Sequence, residues 1–181
     1  IQISDNSVST MGTALDNSDT PIPLVGNCWP IAVYCRNSSQ IDMIGNSLSR
    51  IESRGTGIST GIMSAVGAGI TSPFKMAGYR ISDNDITFDD GNADSFAGVY
   101  FNLGDHLTVH QSTELFITNN RIHGRVYPGS TNDLLNGILF DGQEIATGIV
   151  KGSSYSNVEV GNNFISLVKE TGVLCSRYQS L

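Results

Sequence analysis

Charge is scarce in this chain: Asp, Glu, Lys and Arg make up 15% of its 181 residues, and acids outnumber bases 17 to 10. A net charge of −7 repels phosphate backbones and anionic lipid surfaces, so neither nucleic acid nor membrane is expected as a partner. Long apolar runs are missing, and none approaches the ~20 residues that a membrane-spanning helix needs. Amphipathic stretches of helical period are missing as well, which argues against an α-helical fold. Cysteine is represented only by Cys28, Cys35 and Cys175. No Cys and His spacing suits a metal, so no metal site is expected. Nor does the Asp89 to Asp94 acidic turn make one, because the bidentate Glu that closes an EF-hand loop is absent. The Gly67-Ala68-Gly69-Ile70 run lacks the Lys of a phosphate loop, so no cofactor is expected.

What the chain has in quantity is Gly, Ser, Thr and Asn, the residues of turns between short strands. They are arranged in a repeat. Around Asn120, apolar residues stand at minus 5, minus 3 and plus 2: Leu115, Ile117 and Ile122. The same frame holds around Asn6 (Ile1, Ile3, Val8), Asn46 (Ile41, Met43, Leu48), Asn84 (Tyr79, Ile81, Ile86) and Asn163 (Val158, Val160, Ile165). The anchors lie 40, 38, 36 and 43 residues apart. A period of that size is the mark of stacked structural units.

Within each unit, positions minus 5 and minus 3 alternate as a half-buried strand does. The step from minus 3 to plus 2 is odd, so a bend is expected at the anchor, turning a second short strand toward the same interior. Asn suits that bend because it tolerates the left-handed backbone region, and stacked Asn side chains are expected to form a ladder. A further strand recurs downstream: Ala32-Val33-Tyr34-Cys35, Gly57-Ile58, Gly98-Val99-Tyr100-Phe101, Gly137-Ile138-Leu139-Phe140 and Gly172-Val173-Leu174-Cys175. Gly57-Ile58 fits least well.

These anchors and Gly-aliphatic strands resemble the right-handed parallel β-helix repeat of the pectin-lyase-like superfamily. The resemblance implies an all-β, single-stranded, right-handed parallel β-helix of about five rungs spanning residues 1–181. The chain opens without Met, directly on a strand, and is read as a processed product or excised fragment of a longer chain. Family members include lyases, hydrolases, epimerases, phage tailspikes and non-catalytic adhesins, so the fold alone leaves function open. The Ser/Asn-rich texture and long irregular rungs are most similar to tailspikes. That implies polysaccharide recognition, with lyase or glycosidase cleavage, in an extracellular or virion-surface setting. The alternative is a structural or adhesive solenoid.

Stacking turns sequence offsets into columns. At minus 4 the column reads Gln2, Asp42, Arg80, Phe116, Glu159, and at plus 1 Ser7, Ser47, Asp85, Arg121, Phe164. Ion pairs Asp42–Arg80 and Asp85–Arg121 on neighbouring rungs are therefore expected. Cys35 and Cys175 fall in one column on the first and fifth rungs, too far apart for a disulfide. Phe116, Phe164, Leu139 and Leu174 take outward offsets, where a subunit contact, such as that of a homotrimer, would use them.

Offsets plus 5 and plus 6 supply the candidate site. They bring Glu52, Asp89 and Asp90 toward Arg125 and Lys169, with His123 and Tyr127 close by in sequence. Glu52 and Asp90 are the acid/base candidates of a glycosidase. Asp89, expected beside Arg125, joins the catalytic set with His123 and Arg125, and these two with Tyr127 and Lys169 could supply the cation and base that elimination from a uronate needs. Tyr127 and Lys169 are expected to bind substrate, by stacking and by pairing with sugar carboxylates. Asp141 and Glu144 are the next place to look.

Overall fold

The computed structural model describes residues 1–11, 31–51, 58–66, 74–88, 95–103, 111–124, 134–141 and 154–176. Within them every regular element is a strand, and the strands form three parallel five-stranded sheets. The first sheet takes β1 (Gln2–Ser4), β4 (Ile41–Ile44), β7 (Lys75–Ser82), β10 (Gln111–Thr118) and β13 (Ser154–Gly161). The second takes β2 (Ser7–Met11), β5 (Ser47–Ile51), β8 (Asp85–Phe88), β11 (Arg121–His123) and β14 (Phe164–Ser166). The third takes β3 (Ile31–Arg36), β6 (Ile58–Ala65), β9 (Ser95–Asn102), β12 (Leu134–Asp141) and β15 (Val168–Ser176). Each rung contributes one strand to each sheet. The protein is a five-rung parallel β-solenoid.

The anchor bend is built by two residues with separate tasks. The residue before each anchor carries the left-handed backbone: Asp5, Gly45, Asp83, Asn119 and Asn162, with φ between 53° and 69°. These are residue types that enter that region at low cost. The anchors themselves have ordinary backbones and make the ladder. The backbone N–H and Nδ2 of Asn6, Asn46, Asn84 and Asn120 all donate to the Oδ1 of the next anchor, at 2.8–3.1 Å. The second Nδ2 hydrogen reaches back to the rung before. Asn46 donates to the Ile3 carbonyl, Asn84 to Met43, Asn120 to Ile81 and Asn163 to Ile117. Buried amides are tolerated because their hydrogen bonds are made.

Of the fifteen flanking residues, the nine on the second, third and fourth rungs are all buried. On the end rungs Ile3, Val8, Val160 and Ile165 pack against the core, while Ile1 and Val158 are exposed. A residue of a stacked rung owes its burial to the rung on either side. Aromatic rings link the interior: Phe101 stacks on Phe140 at 5.6 Å, Tyr79 meets Phe101 edge-on, and Tyr155 meets Phe140 edge-on. The Tyr79 hydroxyl donates to the Ser38 carbonyl and accepts from Ser64 Oγ at 2.8 Å. Burial pushes its pKa up despite those bonds.

The register confirms the sequence columns next to the anchors and corrects one rung. Cys35, Ser64, Phe101, Phe140 and Cys175 pair in succession, so three rungs separate the two cysteines. Burial raises the Cys35 thiol pKa, which makes it a small core residue and no nucleophile. In the second rung the repeating strand is Gly61-Ile62-Met63-Ser64: Ile62 pairs with Val33 and Val99. The expected Gly57-Ile58 match is therefore displaced. Cys28 lies outside the described residues.

Gly61, Gly98 and Gly137 form a column that no other residue fits. A Cβ on Gly98 would come within 2.6 Å of the Gly137 carbonyl oxygen and would also strike Ile122. A Cβ on Gly172, at the same place on the fifth rung, would meet nothing within 4 Å. Gly98→Ala is expected to lower stability by about 1–3 kcal/mol, since a backbone carbonyl and a buried Ile must both give way. Gly172→Ala is expected to be neutral or to gain up to ~1 kcal/mol from the unfolded state. Parallel urea titrations of the two variants check the contrast.

The outer face of the third sheet differs from expectation. Leu139 and Leu174 were expected there as contacts for another subunit. Leu139 is instead buried, packing with Met63, Ala65, Ala97 and Tyr100, and half-buried Leu174 and Ile31 adjoin them. These residues form a second apolar cluster, separate from the interior one.

Candidate functional site

The first sheet has the same odd step twice. Inward side chains on β7 are Met76, then Tyr79 and Ile81, and on β10 Ser112, then Leu115 and Ile117. A step of three can keep both flanks inward only if the backbone kinks between them. The kink is a second column of left-handed residues: Gln40, Gly78, Glu114 and Asn157, with φ of 58°, 70°, 57° and 51°. Gly is the easy occupant there; Glu is not, and its presence is a local cost of the kind found at functional positions.

The kink throws this column outward beside the minus 4 column. Asp42 pairs in register with Arg80, Arg80 with Phe116, and Phe116 with Glu159, as the offsets predict. Together the columns line an open groove of about 560 Å³, with Gln40, Asp42, Gly78, Arg80, Glu114, Phe116 and Asn157 along it. Successive rungs contribute successive members, so the groove runs along the solenoid axis. Gly78 leaves a gap that the Gln40 amide fills: a Cβ on Gly78 would fall 2.7 Å from Gln40 Cδ. Arg80 Nη2 donates to Asp42 Oδ2 at 3.0 Å. The pair is half in water, so it orients the two side chains more than it stabilises the fold. Glu114 makes no ion pair among the described residues, and Phe116 keeps 38% of its surface exposed beside it.

The sequence-predicted site is only partly within the described residues. Glu52, Asp89, Asp90, Arg125 and Tyr127 lie outside them, as does Glu144. His123 is on β11 of the second sheet, half-buried, with Nδ1 2.6 Å from Ser166 Oγ. That is the contact distance of a base and a hydroxyl, and no carboxylate contacts His123 among the described residues. Lys169 is on β15, whose Val168 pairs with Leu134 of β12, so its backbone belongs to the third sheet. The offset rule also slips by one: Ile51 pairs with Phe88, with an irregularity after Leu48. Equal offsets from the anchors therefore do not stay level as far as plus 5. The second expected ion pair is present, with Arg121 Nη1 3.7 Å from Asp85 Oδ2. Phe164 is exposed on the second-sheet face.

Gln40, Glu114 and Asn157 belong to no charge cluster in the sequence. Their signal was the broken alternation from Met76 to Tyr79, from Ser112 to Leu115 and from Tyr155 to Val158. The fold and groove define a parallel β-solenoid with an axial polar groove around an exposed aromatic ring. Compared with known proteins, the chain matches no family model, no curated protein and no solved structure.

Proposed function

We propose that this solenoid is a polysaccharide-recognition module that holds an extended glycan along the groove of the first sheet. This is the role that tailspike members of the pectin-lyase-like superfamily would suggest, in an extracellular or virion-surface setting. The observation that carries it is the groove itself: an exposed Phe116 ring among carboxylate, amide and guanidinium groups, presented by successive rungs. Rungs spaced about 4.8 Å apart match the repeat of sugars along an extended chain. The ring offers a face to sugar C–H groups, and Gln40, Asn157 and the Asp42–Arg80 pair offer donors and acceptors to hydroxyls. Side chains held by a rigid sheet lose little freedom on binding, which favours affinity in an open site. Cleavage by Glu52, Asp89, Asp90, His123 and Arg125 is a separable proposition. Incubation with polysaccharides, reading new reducing ends and new double bonds, decides it.

The binding reading is tested with an oligosaccharide panel by calorimetry on the wild type and two groove variants. Phe116→Ala is expected to weaken binding about tenfold, equivalent to ~1.4 kcal/mol, with an unchanged melting curve. Gly78→Ala displaces the Gln40 amide and is expected to weaken binding as well, at a stability cost of about 1 kcal/mol for its left-handed backbone. Full affinity in both variants places the glycan elsewhere.

A further inference from the structure

Resting on the reading of the groove as a glycan site, we infer that it prefers a glycan bearing free amino groups over a neutral one, and excludes acidic glycans, with Glu114 as the discriminating residue. Among the described residues, three charged side chains line the groove: Asp42, Arg80 and Glu114. The only cation among them, Arg80, is already held by Asp42 at 3.0 Å. Its charge is locally cancelled, and the groove is left with the Glu114 carboxylate. Glu159, next in the column beyond Phe116, adds a second negative group at the margin. The chain as a whole carries −7, so the long-range field has the same sign as the local one.

Position adds to charge. Glu114 and Phe116 lie on one strand, two residues apart, both outward and exposed, with buried Leu115 between them. A sugar ring resting on Phe116 thus carries its substituents past the Glu114 carboxylate. An ammonium there gains a charge-assisted hydrogen bond. A uronate carboxylate there meets a like charge and, among the described residues of the groove, no free cation, a combination that costs affinity. Glu114 also occupies a left-handed position at φ 57° where Gly or Asn would be unstrained. The neighbouring rungs use Gly78 and Asn157 at that place. An acidic side chain kept where the backbone disfavours it points to use of the carboxylate.

The test measures affinities of the intact protein for three oligomers of equal length: glucosamine, N-acetylglucosamine and galacturonate. The pH is set so that the amines are protonated, and low and high salt are compared. The glucosamine oligomer is expected to bind about tenfold more tightly than the neutral one at low salt, and the galacturonate oligomer more weakly than either; high salt should shrink the gap through screening. Glu114→Gln is expected to bring glucosamine and N-acetylglucosamine affinities within about threefold of each other, with an unchanged melting curve, since an exposed side chain contributes little to stability. Equal or tighter binding of galacturonate overturns the inference and leaves the glycan reading standing. An undiminished glucosamine preference in Glu114→Gln overturns the role of Glu114. Failure of all three oligomers to bind removes the glycan reading itself.

Discussion

Ile117→Asp should abolish the folded state at neutral pH. Ile117 is fully buried on β10, paired in register with Ile81 on one side and Val160 on the other. Its neighbours in the core are aliphatic and aromatic side chains, and none offers a cation. An ionised carboxylate there would be stripped of water without compensation, so the cost exceeds about 4–5 kcal/mol. That is comparable with the whole stability of an ordinary domain, about 5–15 kcal/mol. The variant should recover partly in acid. Burial raises the pKa of the introduced carboxyl above its unfolded value, so the fold is least penalised below the unfolded pKa and loses ground as pH rises through the shifted one. Circular dichroism melts across pH give the measurement. A melting curve like that of the wild type at neutral pH would show that this position does not face the interior.

Asn120→Ala should be the next most damaging change, for a different reason. Asn120 Oδ1 accepts from both the backbone N–H and the Nδ2 of Asn84, and its own Nδ2 serves Asn163 Oδ1, the Ile81 carbonyl and the Thr118 carbonyl. Removing the side chain leaves the two Asn84 donors without their acceptor in a site shielded from water. At ~1–3 kcal/mol for each buried group left unsatisfied, the loss is on the order of 3–5 kcal/mol. Asn6→Ala provides the comparison. Asn6 is exposed, and its backbone N–H still reaches Asn46 Oδ1 after truncation, so a loss of about 1 kcal/mol or less is expected for its exposed amide. Urea denaturation of both variants checks the difference. Hydrogen exchange at the Asn84 amide should accelerate only in Asn120→Ala. Equal losses would mean that the ladder adds nothing beyond local structure.

Much of this architecture could be read from residue spacing. In a parallel, in-register stack, equal offsets in sequence become neighbours in space, so a repeat doubles as a contact map. That is why the Asp42–Arg80 and Asp85–Arg121 pairs, the Asn ladder and the separation of Cys35 from Cys175 all follow from the anchors. The reading failed where the chain between anchors varies in length. Gly-aliphatic pairs recur nearby, so Gly57-Ile58 resembles the third strand of the second rung; the sheet instead takes Gly61-Ile62 at that register, where a missing Cβ admits Ile86 and the Gly98 carbonyl. The slip after Leu48 has the same character, since one irregular residue shifts every later offset.

From the sequence alone came the number of rungs, the inward faces of the first two strands of each rung, and the neighbours in the columns near each anchor. Those properties depend on local alternation and on a repeat that the stack must obey. Only the tertiary structure decided where the groove lies and which residues cluster on the third sheet. The groove depends on a left-handed kink at Gln40, Gly78, Glu114 and Asn157, four residues with no common chemistry that align because their rungs are hydrogen-bonded. The cluster of Met63, Tyr100 and Leu139 depends on residues distant in sequence meeting on one face. Burial of that kind leaves no periodic mark, because it is set by packing between segments and not by the geometry of a single strand.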